Sequence, residues 1–216
     1  MTSRTYRLAN DDHSANLAVD PGNQLLWRAN RRRLDAEQLR DALLVFSGEL
    51  DRKPGGRHPF PHHLTYFYRQ HEPFQEKYAS KKRSVYLMQQ RIQKNPYLDL
   101  FDGPDGSLHF GERRSTVTTL QALYFMNSEF IHDRADAIAQ RLAKVAPDET
   151  KRFAKLYALI FNRPPQPDEL AFAGSYLRTR LAKAETGSAT LGQAEKLAWS
   201  SLVRSMLSSN EFLHIE

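Results

Sequence analysis

A mainly α-helical domain is the fold this sequence predicts. Apolar residues recur at three- and four-residue steps in several separate stretches. Proline and glycine clusters fall between those stretches and punctuate them. In the last hundred residues the helical stretches are joined by short turns, the pattern of an antiparallel bundle or an orthogonal stack.

Residues 1 to 24 read as a short ordered lead-in followed by the loop DDHSANLAVDPGN. Helical patterning begins at Leu25 or Leu26 and resumes from Asp35, an N-cap candidate with Gln38 three residues on, as in a capping box. Leu39, Ala42, Leu43 and Phe46 make a buried stripe that stops near Gly48. From Asp51 to Gln75 the chain turns to proline, glycine and histidine, and RHPFPHHLTYFYRQHEPF at 57 to 74 gathers four histidines and five Phe or Tyr rings. Leaving those rings in water would be costly, so this reads as an ordered loop packed on the helices.

SVYLMQQRI at 84 to 92 suits a strand or a short helix, and its large alternating side chains favour the extended form. NPYLDLFDGPDGS turns sharply at Gly103, Pro104 and Gly106. The longest helix is predicted from Thr118 to Val145, with Leu120, Leu123, Asn127, Phe130 or Ile131, Ala135, Ile138 and Leu142 on one packed face. A second, Asp148 to Phe161, carries Phe153, Leu156, Tyr157 and Ile160, and ends at NRPPQPDE. Pro167, Asp168 and Glu169 suit the first turn of a third helix reaching Lys183, and a last one covers Leu191 to Ser208. NSEFIH at 127 to 132 and NEFLH at 210 to 214 echo each other as two similar helix ends. One helical domain over 1–216 results: a lead-in and first helices at 1–50, the aromatic loop region at 51–117 and a four-helix region at 118–216.

Composition narrows the function classes. Thirty-one Lys and Arg against 25 Asp and Glu give a net charge of +6, much of it local in RANRRR at 28 to 33 and KKR at 81 to 83. The arginine stems suit covering apolar surface with their heads in water, so nucleic acid is not the expected partner. The absence of cysteine removes disulfides, thiolate nucleophiles and covalent haem attachment from this chain. No apolar run reaches the roughly 18 residues of a spanning helix, and the N-terminus has no secretory h-region.

Several residue groups could carry chemistry. His58 and His62 have the four-residue spacing of helical metal ligands, but Pro59 and Pro61 prevent that helix, and no metal site is expected. Asp99, Asp102 and Asp105 lie three apart on a tight turn without the alternating ligands of a calcium loop, and turn formation explains them as well. Nucleophile-elbow, phosphate-loop and dinucleotide motifs are lacking. Arg113, Thr116, Gln121 and Asn127 lead into the long helix, and Gln121 and Asn127 are expected to bond loop backbones in the interior.

The ordered series LLWRANRRRLDAEQLRDALLVFSGELD, GGRHPFP, FYRQHEPF, KRSVYLMQQRIQKNPYLDLFDGPD, RRSTVTTLQALYFMNSEFIHDRA and SSNEFLHIE resembles the Planctomycetes-type domain of unknown function 1553 over nearly the whole chain. The resemblance implies the C-terminal piece of a large exported protein, with a companion domain and often a cytochrome c module that would hold haem elsewhere in the polypeptide. No cofactor is expected in this chain, and the setting it implies is extracytoplasmic. It places His58, His71, Arg83, Tyr86, Arg91, Asp102, Arg113, Gln121 and Asn127 on family motif positions, and departs at Thr119, where proline is common. It supplies no reaction. The function expected is a non-catalytic binding or docking domain, its partners the companion domains and a glycan of polysaccharide metabolism. The alternative is a hydrolase site, with His58, His71, Arg83, Arg91 and Asp102 in a cleft completed by a companion domain.

Overall fold

The computed structural model describes residues 3–56, 80–89, 94–109, 111–185 and 191–215. Among them the chain is mainly helical, and the RHPFPHHLTYFYRQHEPF stretch lies outside them.

Helix α1 (Ser14–Val19) occupies what the sequence suggests is loop, and it buries no residue. The helical start expected at Leu25 or Leu26 is instead a turn, with Leu26 at φ 54°. The Asp20 carboxylate causes it by accepting the Gln24 and Leu25 N–H groups at 3.0 and 2.8 Å. Strand β1 (Arg32–Arg33) and helix α2 (Ala36–Ser47) follow, the helix opening at Asp35 with the Gln38 side chain accepting the Asp35 N–H at 3.0 Å. Leu39, Leu43 and Leu44 are fully buried on α2, and Gly48 ends it at φ 77°, a left-handed position that glycine adopts without a Cβ clash.

Ser84–Tyr86 is a 3₁₀ turn, not the extended segment expected from its alternation. Asp41 on α2 fixes it, accepting the Ser84 N–H at 2.8 Å and its hydroxyl at 2.7 Å. Among the described residues its only strand-like neighbour is the single bridge between Asp51 and Lys82. Helix α3 (Pro96–Leu100) has proline in its first turn, and the Asn95 side chain accepts from Tyr97 and Leu98 N–H.

The long helix expected from Thr118 to Val145 is two: α4 (Thr119–Asn127) and α5 (Glu129–Val145). Ser128 between them is extended, at ψ 128°. The break shifts the apolar phase, so α4 buries Gln121 and Phe125 while Leu120 and Leu123, expected on the packed face, are 66% and 44% exposed. On α5 the expected face holds, with Ile131, Ala135, Ile138 and Leu142 buried. Helices α6 (Glu149–Ile160), α7 (Pro167–Glu185), α8 (Leu191–Leu207) and α9 (Asn210–Leu213) complete the helical set, and strand β2 (His214–Ile215) closes the chain. The region from residue 118 thus holds six helices among the described residues where the sequence suggests four. The NSEFIH and NEFLH echo marks two helix beginnings, α5 after Ser128 and α9 after Ser209.

Helix α8 is the centre of the packing. Residues 198–203 are all buried, six in a row, which a helix with only one covered face cannot achieve. Helix α5 packs on one side, α7 on another and α6 on a third, while α2 lies on the far side of α5. Phe153 of α6 meets Trp199 with ring centroids 4.8 Å apart, and Tyr176 of α7 bonds Ser201 at 2.6 Å. Ser200 donates to Asp136 of α5. The antiparallel pairing of β1 with β2 sets Arg32 opposite Ile215 and Arg33 opposite His214, so residues 214–215 lie beside the strand that leads into α2. No described helix is long and apolar enough to cross a membrane.

Truncating Ile138 to Ala should lower stability by about 2–5 kcal/mol in urea unfolding, the usual cost of a cavity at a fully buried site. Leu120→Ala should change it by less than about 0.5 kcal/mol, as at an exposed position. Equal costs would mean that Leu120 shares the packed face and that α4 and α5 run on as one helix.

Candidate functional site

The residues that the sequence singles out around the long helix meet at the junction of β1, α3 and α4. Thr118 caps α4, its hydroxyl accepting the Gln121 N–H at 3.3 Å while its own N–H reaches Gln121 Oε1 at 3.2 Å. The Gln121 amide is then spent in both directions. Oε1 also accepts from Arg33 at 2.9 Å, and Nε2 donates to the Leu100 carbonyl at 2.8 Å. With 2% of its surface exposed, Gln121 is the buried polar knot expected of it, whereas Asn127 is exposed at the end of α4 and does not take the interior role expected for it.

Asp102, at φ 58°, follows α3 and turns its carboxylate back across the loop. It accepts the Thr116 N–H at 2.7 Å and the Thr116 hydroxyl at 2.8 Å, while Arg33 donates to the Thr116 carbonyl. The neighbouring aspartates go elsewhere: Asp105 accepts the Ser107 N–H at 2.8 Å and pairs with Lys94 at 2.9 Å, and Asp99 lies 3.4 Å from Lys94. The three carboxylates of the DLFDGPDG turn are thus each engaged, by Thr116, by Lys94 and by the turn's own backbone.

Arg113 grips Glu37 of α2 with two parallel hydrogen bonds of 2.6 and 2.8 Å. Burial pushes the Glu37 carboxyl upward, but the hydrogen bonds from Arg113 and from its own backbone N–H, with the Arg113 charge, outweigh it and leave its pKa below the ordinary carboxylate value. This pair stands between two hollows. One, an open groove of about 740 Å³, is lined by Asp35, Glu37, Asp41, Arg52, Arg83 and Arg113. The other, of about 430 Å³, is lined by Asp102, Arg113 and Arg33 among others. Tyr86 is partly exposed beside the groove, and Gly55 approaches its ring so closely that an added Cβ would stand 2.7 Å from it.

Of the cleft considered for catalysis, His58, His71 and Arg91 lie outside the described residues. Arg83 and Asp102 line different hollows. Of the groove's described carboxylates, Asp41 accepts from Ser84, Glu37 accepts from Arg113, and Asp35 caps α2. The arginine run at 28 to 33 is similarly employed: Arg28 lies over the Trp27 ring and, with Arg31, reaches Asp12 at 3.5 and 3.6 Å.

Two residues escaped sequence reasoning. Arg40 and Arg134 sit on the core-facing sides of α2 and α5 and are 8% and 7% exposed. Each occupies an apolar-phase position of its helix, a signal visible in the sequence, but their partners are backbone carbonyls and a carboxylate far along the chain.

Replacing Gln121 with Leu should destabilise the domain by about 1–3 kcal/mol, because the Leu100 carbonyl, the Thr118 N–H and the Arg33 guanidinium lose the partner that the buried Gln121 amide gives them. The depressed Glu37 pKa contributes stability that is present above its unfolded value of 4.5 and is lost as pH falls through the folded value. Arg113→Met should therefore flatten that acid limb in pH-dependent thermal unfolding and leave the neutral-to-alkaline limb in place.

No curated protein and no solved structure matches the chain. A family model described as PSD1, protein of unknown function (DUF1553), matches residues 1–177, ending within α7 and leaving SSNEFLHIE beyond the matched region. With some four-fifths of its length inside that match, the chain belongs to the DUF1553 family.

Proposed function

We propose that this chain is a non-catalytic docking domain of an exported, multidomain planctomycete protein, and that the outer face of α4 seats a companion domain of the same polypeptide. One observation carries the reading: Gln121, Asp102 and Glu37 are bonded within the fold, while among the described residues an apolar helix face beside them is exposed. Leu120, Leu123 and Met126 of α4 are 66%, 44% and 65% exposed at three-residue steps, and Val117, just before the helix, is 83% exposed. Such a row on a helix side is the anchor pattern by which helices enter apolar grooves of a partner. Contiguous exposed apolar patches are uncommon on chains that work alone.

The commitments of Gln121, Asp102 and Arg113 give that face its rigidity. They fasten the start of α4 to α2, α3 and β1, so the row is presented on a fixed support. A preformed face loses little conformational freedom on association. The companion domains would carry the haem of the cytochrome c module, and the assembly would act in polysaccharide metabolism outside the cytoplasm.

Leu120→Glu and Met126→Glu, introduced together, should weaken association of this chain with the remainder of its polypeptide at least about tenfold in titration calorimetry. The melting temperature of the chain itself should hardly move, since both positions are exposed. Absence of association by the unaltered chain, or association indifferent to the double substitution, would overturn the proposal.

A further inference from the structure

A cavity of about 460 Å³ lies between α2, the start of α5, α4 and the segment after residue 80. Its size is that of a small-ligand site. Arg40, Arg134 and Lys81 line it together with the rings of Tyr97, Tyr124 and Phe130, and among the described residues no carboxylate lines it. Two of these cations are more than nine-tenths buried, and buried guanidinium groups are costly unless paired.

Arg40 spreads its charge over neutral acceptors. It donates to the Lys82 carbonyl at 2.9 Å, to the Ser84 hydroxyl at 3.2 Å and to the Ser80 carbonyl, with Asp41 3.5 Å away. Burial lowers its pKa, and the like charge of Arg134 adds to that, against the opposing pull of Asp41. Arg134 is paired on the side away from the cavity. Its Nε lies 2.9 Å from Glu49 Oε2, both atoms buried, and its Nη2 lies 3.8 Å from Asp133. The guanidinium also lies 5.1 Å from the centre of the Phe130 ring.

The side of each ion pair that faces the cavity points to the ligand. Arg40, Arg134 and Lys81 line it, while their carboxylate partners Asp41, Asp133 and Glu49 are not among its described lining residues, Glu49 holding Lys81 at 2.5 Å. A small anion that enters therefore meets the cationic half of each pair. Guanidinium forks match the planar geometry of a carboxylate, and a wall of tyrosine and phenylalanine suits a flat scaffold with an apolar face. We propose that this cavity binds a small monocarboxylate carried on a ring, its carboxylate on Arg134 and Arg40 and its ring against Phe130 and Tyr124. An aryl acid and a sugar acid share that chemistry. This site is separate from the α4 face and does not depend on docking there.

Benzoate and glucuronate, each at about 10 mM, with benzamide and glucose as their neutral counterparts, test it by thermal shift and titration calorimetry on the full chain. One or both acids should raise the melting temperature by a few degrees and the neutral compounds should not, and the acid that binds identifies the scaffold. Arg134→Gln should weaken binding by about tenfold or more. Should that variant fail to fold, Lys81→Gln supplies the reading, since the Lys81 side chain is 57% exposed: it should keep the melting temperature of the free protein and weaken binding severalfold. No shift with either acid, equal shifts with the neutral compounds, or unchanged affinity in the folded variants would each overturn the proposal.

Discussion

Everything in this domain leans on α8. Its run AWSSLV at 198–203 has no solvent side, so three other helices must be in place before any turn of it is satisfied. The two serines in that run would be liabilities in an apolar interior. They are tolerable because each faces a partner, Asp136 on α5 and Tyr176 on α7. Glu195 and Trp199 point the same way toward α6, where Arg152 bonds the carboxylate at 2.9 Å and lies 4.8 Å from the indole centre. The polar groups of α8 thus fix which neighbour sits on which side, and the apolar groups supply the burial that holds them there.

From that centre the polar junction follows at second hand. Helix α5 is held by α8, α2 is held by α5, and α4 is attached to the start of α5 through Ser128. Gln121, Asp102 and Arg113 then tie α4, the α3 turn and α2 into one piece. The outcome is a tied junction with an exposed apolar row beside it.

Local signals were readable and distant ones were not. Asp35 with Gln38, Asp148 before α6 and Pro167 with its acidic neighbours announced their helix starts because capping chemistry is settled within four residues. The break at Ser128 was missed because the apolar spacing of Leu120 and Leu123 runs on smoothly into α5, and spacing alone does not say which side is covered. Its clue was the likeness of NSEFIH to NEFLH, since both open a helix after a serine. Gln121 was legible as a buried polar group because it sits among apolar neighbours, while Asn127, at similar spacing, falls at a helix end and stays wet. Arg40 and Arg134 were beyond reach: arginines at apolar phase mean little until Ser80, Lys82 and Glu49 are seen to converge on them.

The pairing of β2 with β1 has a consequence for the order of events at birth. Helix α8 follows α2 to α7 in the chain, and the strand that pairs with residues 32 and 33 follows α8 in turn. A ribosome, or any pore that passes the chain N-terminus first, therefore delivers α2 to α7 with their inner faces uncovered. Until residues 191–215 emerge, the sides of α5, α6 and α7 that pack on α8 wait for it.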